Sequence, residues 1–143
     1  MNKLLIISGV NGFDYLKNSE VIDLESTDSD CDEWTEFPRE RIGATGVLLN
    51  FTNSVLICGG SYQDQNGTLY SSNECYTLDK YSSTLFSTMA ERRSFSASLV
   101  TDDNYVWVTG GLDYNDGSPL SSTEYILPNG ASITGKYFYT LEA

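Results

Sequence analysis

Val55-Leu56-Ile57-Cys58-Gly59-Gly60 decides the reading of this chain, because four apolar residues in succession run straight into a doubled glycine. A sheet with one wet face would interrupt such a run with polar residues. Apolar side chains at successive positions describe a strand covered on both faces. Glycine accepts positive φ and lets another backbone pass closely, so a pair of glycines at a strand's end marks a crowded turn. The pattern recurs. Val106-Trp107-Val108-Thr109-Gly110-Gly111 repeats it, and Leu5-Ile6-Ile7-Ser8-Gly9 repeats it with Ser8 in place of the first glycine. Gly9, Gly60 and Gly111 stand 51 residues apart, and a fixed period of this size is the mark of a repeat architecture.

The echo extends beyond the glycines. Each run is followed by a polar loop containing Gly and Tyr, and each loop leads into a segment that opens with glutamate: Glu20, Glu74 and Glu124. A fourth segment follows in the first two copies, where Trp34 matches Phe86 and Arg41 matches Arg93, both at a spacing of 52. Strands dense in small residues come next, "IGATGVLLN" and "SFSASLVT". The unit is therefore four short strands in roughly 50 residues, with no connection long enough for a crossover helix, so neighbours pair antiparallel as a meander. Small side chains suit a strand crowded toward an axis. These features predict an all-β chain whose sheets stack face to face about a centre, a β-propeller of about three four-stranded antiparallel blades. Residues 1–40 are read as a partial blade lacking its first strand, 41–92 as the second blade, 93–135 as the third, and 136–143 as a C-terminal tail or exchanged strand.

On these residues the chain resembles the kelch repeat. The resemblance rests on Gly59-Gly60, Gly110-Gly111 and the degenerate Ser8-Gly9, on the aromatics Trp34 and Phe86, and on Arg41 and Arg93. Leu24 and Leu78 stand where the family carries a tyrosine, and the third repeat departs further, with "LPNGASITG" and no tryptophan. The resemblance covers about residues 4 to 135. It implies a propeller, usually six-bladed, in a family whose members mostly bind other proteins. Closed propellers hold at least four blades. Three expectations follow: a piece of a longer propeller, a homodimer completing six blades, or an open array with exposed faces.

The chain carries 20 acidic residues against 8 basic ones, a formal net charge of −12. Such a surface repels phosphate backbones and anionic lipid, which argues against nucleic-acid and membrane partners and favours a protein or peptide ligand of basic character. No apolar run approaches the length of a membrane helix. "MNKLLIISGV" has a basic residue before an apolar stretch, yet four apolar residues are too few for a secretory core, and the segment reads as a strand. A cytoplasmic location is expected, with secretion the alternative if a leader lies outside this sequence. Asn50-Phe51-Thr52 and Asn66-Gly67-Thr68 are glycosylation sequons that matter only in that second case.

Three cysteines, Cys31, Cys58 and Cys75, make an odd count without a CxxC motif. Cys58 and Cys75 fall in neighbouring strands, which permits a disulfide, but buried reduced thiols acting as small hydrophobes are favoured. The chain has no histidine, so Ser-His-Asp and Cys-His catalysis and any histidine-ligated copper centre are excluded. "DSDCDE" (28–33) has acids at the first, third and fifth positions of a calcium loop. Glu33 and Arg39 then occupy the places that need Gly and Glu, so the match fails. No catalytic residue, metal site or cofactor is assigned, and the chain is read as a non-enzyme.

The remaining candidates lie in the loops between second and third strands, which share one face of a propeller. Phe13, Tyr15, Tyr62, Gln63, Asp64, Tyr114, Asn115 and Asp116 place aromatics beside amides and acids, a composition suited to protein-binding surfaces. Arg41 and Arg93 are added as residues that would contact an acidic ligand, although pairing with nearby carboxylates to brace the blades is the favoured role. The expected function is a non-catalytic protein- or peptide-binding module presenting loops on one face. A carbohydrate-binding or sugar-active kelch-type protein is the alternative.

Overall fold

The computed structural model describes residues 3–26 and 31–135. The chain is all-β over these residues, built from antiparallel sheets, none of them closed. The first sheet contains β1 (Lys3–Asn11), β2 (Asp14–Asp23) and the short β3 (Asp32–Glu33), in that order. The second holds β4 (Ile42–Leu49), β5 (Ser54–Gln63), β6 (Leu69–Ser71), β7 (Glu74–Leu78) and β8 (Ser83–Thr88). Its order is β4-β5-β7-β8, with β6 pairing the far end of β5. The third consists of β9 (Ala97–Val100), β10 (Val106–Thr109), β13 (Thr123–Ile126) and β14 (Ser132–Gly135), in the order β9-β10-β13-β14. A separate hairpin of β11 (Leu112–Asp113) and β12 (Ser118–Pro119) continues outward from β10. Residues 3–10 of the stretch that superficially resembles a leader lie in β1, and the glycine pairs sit in or just beyond β5 and β10. Residues 136–143 and the start of "DSDCDE" lie outside the described residues.

The sheets pack face to face through the alternation of β5. Leu56 and Cys58 point one way, joining Leu49, Cys75 and Met89 against Val106, Val108 and Ile126 of the third sheet. Ile57 points the other way, joining Leu78 against Phe37 and Ile7, on the side of the first sheet. The apolar run of β5 is thus buried on both faces. Its counterparts are not: Leu4 and Ile6 of β1 remain 49% and 46% exposed, and Trp107 of β10 remains 39% exposed. The reason is positional, since a sheet flanked on only one side leaves its alternate side chains in water. In the third sheet Leu99, Trp107, Tyr125 and Ile133 stand in one cross-strand row on that open face.

The doubled glycine is explained by close approach between sheets. Gly59 has φ +68°, and a Cβ there would lie 3.3 Å from the Arg93 carbonyl carbon and nearer still to its oxygen. Gly60 donates its N–H to the same oxygen at 2.9 Å. Gly9 makes the equivalent bond to the Arg41 carbonyl at 3.2 Å. The glycines therefore let each sheet's strand end receive the chain entering the next sheet.

One expectation is corrected. Cys58 and Cys75 are joined in a disulfide, not held as free thiols. The register places them directly opposite each other on β5 and β7, with Cα atoms 4.1 Å apart, and cross-strand neighbours at that distance are within reach of a sulfur–sulfur bond. Sequence spacing alone does not reveal register. The bond closes a short loop, with a sequence separation of 17, and is expected to contribute about 2–3 kcal/mol. A Cys58→Ala/Cys75→Ala variant should lose that much in urea unfolding under oxidising conditions; an unchanged midpoint would count against the bond.

Candidate functional site

Two buried arginines set the frame on which the loops stand. Arg41 is 2% exposed and Arg93 0% exposed. The Arg41 guanidinium donates to the Gly59 carbonyl at 3.0 Å and to Glu74 at 2.6 Å. Arg93 does the same one repeat later, to the Gly110 carbonyl at 2.9 Å and to Glu124 at 3.0 Å. Arg93 also reaches the Ser122 carbonyl and hydroxyl and the exposed side of Glu91. Both guanidinium groups are directed inward onto the glycine turn and a glutamate in the first two positions of the third strand. They therefore do not stand as ligand-facing cations, because both side chains are buried and their terminal nitrogens already donate to carbonyl and carboxylate oxygens.

The loops between second and third strands emerge from this frame. In the second sheet the β5–β6 hairpin turns at Asp64–Gly67. Asp64 closes the turn by accepting the N–H groups of Asn66 and Thr68, while the Gln63 amide donates to the Gly67 carbonyl. Tyr62 and Tyr70 stack across the hairpin with ring centroids 5.8 Å apart, and the Arg39 guanidinium lies 4.1 Å from the Tyr62 ring. In the β11–β12 hairpin, the Asn115 N–H is accepted by Asp113 and the Ser118 N–H by Asp116. The Ser118 hydroxyl and N–H beside Asp116 hold its carboxyl below the usual carboxylate range.

The two hairpins are joined. Ser71 donates its N–H to the Asn115 side chain at 3.0 Å and accepts the Tyr114 N–H on its hydroxyl at 2.9 Å. That hydroxyl belongs to a buried cluster with Ser61 and Ser94, at 2.6 and 2.8 Å, which ties the loop bases of both sheets together. Tyr62, Gln63, Asp64, Tyr114, Asn115 and Asp116 thus form one connected surface. Phe13 and Tyr15 do not join it. They lie in the β1–β2 hairpin, where Phe13 is 99% exposed and touches neither of the other loops.

A residue the sequence reasoning passed over belongs here. Phe95 is 59% exposed and has φ 55°, a left-handed conformation that a bulky residue adopts only when its surroundings impose it. Its N–H donates to the Gly43 carbonyl at 2.7 Å, its ring occupies the space a Cβ on Gly43 would fill, and its edge meets the Tyr114 ring at 6.4 Å. Gly43 and Phe95 are equivalent positions, 52 residues apart, and both carry positive φ. The available signal was an aromatic set among the small residues of "SFSAS". Phe95 also lines a cleft of about 420 Å³ with Ser8, Val10, Ile42 and Phe37. Among the described residues no group of three or more Cys, Asp or Glu side chains is placed to hold a metal ion.

No family model and no curated protein matches the chain. Among solved structures it is similar to one described as the structure of YjhT, with a TM-score of 0.76 and 14% sequence identity over 94% of this chain. The chain spans 42% of the length of that protein. At such identity the likeness is one of fold.

Proposed function

We propose that the chain is a kelch-type β-propeller segment of about three blades that works as a non-catalytic binding module for a protein or peptide of basic character. The observation that carries this reading is Phe95, a half-exposed aromatic held in a costly backbone conformation against Tyr114 at the loop end of the sheets. Rigid, solvent-facing aromatics supply contact area with little ordering cost when a partner docks. The net charge of −12 supports a cationic partner. The polar atoms of Gln63, Asp64, Asn115 and Asp116 make hydrogen bonds within their own or the adjoining turn, which favours an aromatic peptide-binding surface over the hydroxyl-matching polar groups a sugar requires. The exposed sequon residues Asn50 and Asn66, together with the Cys58–Cys75 disulfide, favour the secreted alternative over a cytoplasmic location.

The test is a screen of basic peptides and glycans followed by substitution of the aromatic pair. A bound peptide should lose about tenfold or more in affinity to Phe95→Ala or Tyr114→Ala, the range for an interface anchor. Its affinity should also fall as salt rises. A glycan ligand whose binding ignores salt, or a peptide indifferent to both substitutions, would overturn the proposal.

A further inference from the structure

A second cleft lies between the first and second sheets, at the end of β5 away from the loop surface. Tyr62 and Gln63 close β5 on the loop side, whereas Asn53, Ser54 and Val55 line this cleft at the strand's start, around a volume of about 550 Å³. Pockets that hold small molecules measure roughly 300–1,000 Å³. Two cross-strand rows form the apolar lining. Leu5 stands opposite Val21 in the first sheet, and Leu48, Val55 and Leu78 stand in register across β4, β5 and β7. Val21 and Leu78 are buried, while Leu48 is half-exposed. Trp34 completes this lining. Its indole N–H is buried and lacks an acceptor among the described residues, although such groups normally find one.

Four exposed charged side chains border these rows: Lys3 and Lys80, Asp32 and Glu33. Asp32 stands opposite Val21 and extends the first row, and Lys80 follows Leu78 by two residues. None of the four makes an ion pair among the described residues. In a chain with 20 acidic residues a lysine has many carboxylates to choose from, and Lys17 does find Glu36 at 2.6 Å. The other two described lysines instead stay unpaired in one cleft. They favour an anion there, as Asp32 and Glu33 favour a cation. An occupant with a single charge would be repelled by one of the two pairs, whereas an occupant with both charges satisfies the two together.

We infer that this cleft binds a free α-amino acid with a large apolar side chain. That side chain would lie against Val21, Leu78 and Trp34, with the carboxylate toward Lys3 and Lys80 and the ammonium toward Asp32 and Glu33. The apolar rows supply burial, and the two charged pairs fix orientation and exclude compounds that carry only one of the charges. This inference stands apart from the loop surface around Phe95, which lies at the other end of β5, and substitutions there leave it unaffected.

The chain has two tryptophans, Trp34 and Trp107, so the whole chain carrying Trp107→Phe reports on the cleft through the fluorescence of Trp34. L-Phenylalanine is the probe, compared with 3-phenylpropionate, which lacks the ammonium, and phenethylamine, which lacks the carboxylate. Saturable binding of phenylalanine with a change in Trp34 emission is expected. Each analogue should bind about tenfold or more weaker, the scale of a lost hydrogen bond to a charged group. Asp32→Asn/Glu33→Gln should abolish the preference over 3-phenylpropionate, and Lys3→Met/Lys80→Met the preference over phenethylamine. All four side chains are exposed, so these changes leave the core intact. Absence of saturable binding, equal affinity for phenylalanine and both analogues, or preferences that survive the charge substitutions would each overturn the inference.

Discussion

Replacing Arg93 by alanine is expected to destabilise the chain by about 3–5 kcal/mol, the range for removing one partner of a buried ion pair. Glu124 is fully buried, and without the guanidinium its carboxylate keeps only the N–H groups of Ala90 and Glu91 and the Ser132 hydroxyl, at 2.6, 3.0 and 3.0 Å. The carbonyls of Gly110 and Ser122 lose a charged donor at the same time. Arg41→Ala provides the contrast. Its partner Glu74 has a side chain 40% exposed, so water can solvate the abandoned carboxylate, and roughly half the loss is expected. Urea unfolding followed by tryptophan fluorescence measures both. Equal losses, or a loss below about 1 kcal/mol for Arg93→Ala, would show that the pair behaves like an exposed one.

Gly59→Ala is expected to cost about 3–4 kcal/mol. A left-handed conformation costs an L-residue roughly 1–2 kcal/mol, and forcing a methyl into filled space adds roughly 1–3 kcal/mol. Here the filled space is the Arg93 carbonyl, a backbone group that no rotamer change can move. Gly110→Ala separates the two contributions. Gly110 has φ +64°, close to that of Gly59, but the nearest atom to its Cβ position is the Leu120 carbonyl oxygen at 3.7 Å. Only the conformational cost of about 1–2 kcal/mol should remain there. Ser8 shows how a side chain is accommodated at the equivalent place. It sits at φ 59° with its hydroxyl accepting the Arg41 N–H at 3.0 Å and donating to the Leu16 carbonyl at 2.8 Å. Matching losses at Gly59 and Gly110 in chemical denaturation would refute close approach between sheets as the reason for the doubled glycine.

The candidate site was less legible than the fold. Tyr62, Gln63, Asp64, Tyr114, Asn115 and Asp116 could be named because turn-forming residues announce hairpin tips. That Ser71 would bind both Tyr114 and Asn115, and so join two tips into one surface, depends on residues more than 40 positions apart. Phe95 was hidden because its importance lies in a backbone dihedral. Phe37 was hidden in a similar way. The sequence points to Trp34 as the aromatic near the fourth segment, yet Phe37 is the ring buried to 1% exposure, with its edge toward Tyr76 at 5.4 Å.

By itself the sequence determined the all-β class and the antiparallel order of neighbouring strands, because both follow from local quantities: apolar runs, turn residues and connections too short for a helix. Only the tertiary structure decided that, of the three strands carrying the apolar run, β5 is the one covered on both faces, that Cys58 meets Cys75, and that Arg41 and Arg93 turn inward. Those outcomes depend on strand register and on the approach of one sheet to the next. Residues separated by 17 to 33 positions acquire a shared environment only when the strands that carry them pair in one register.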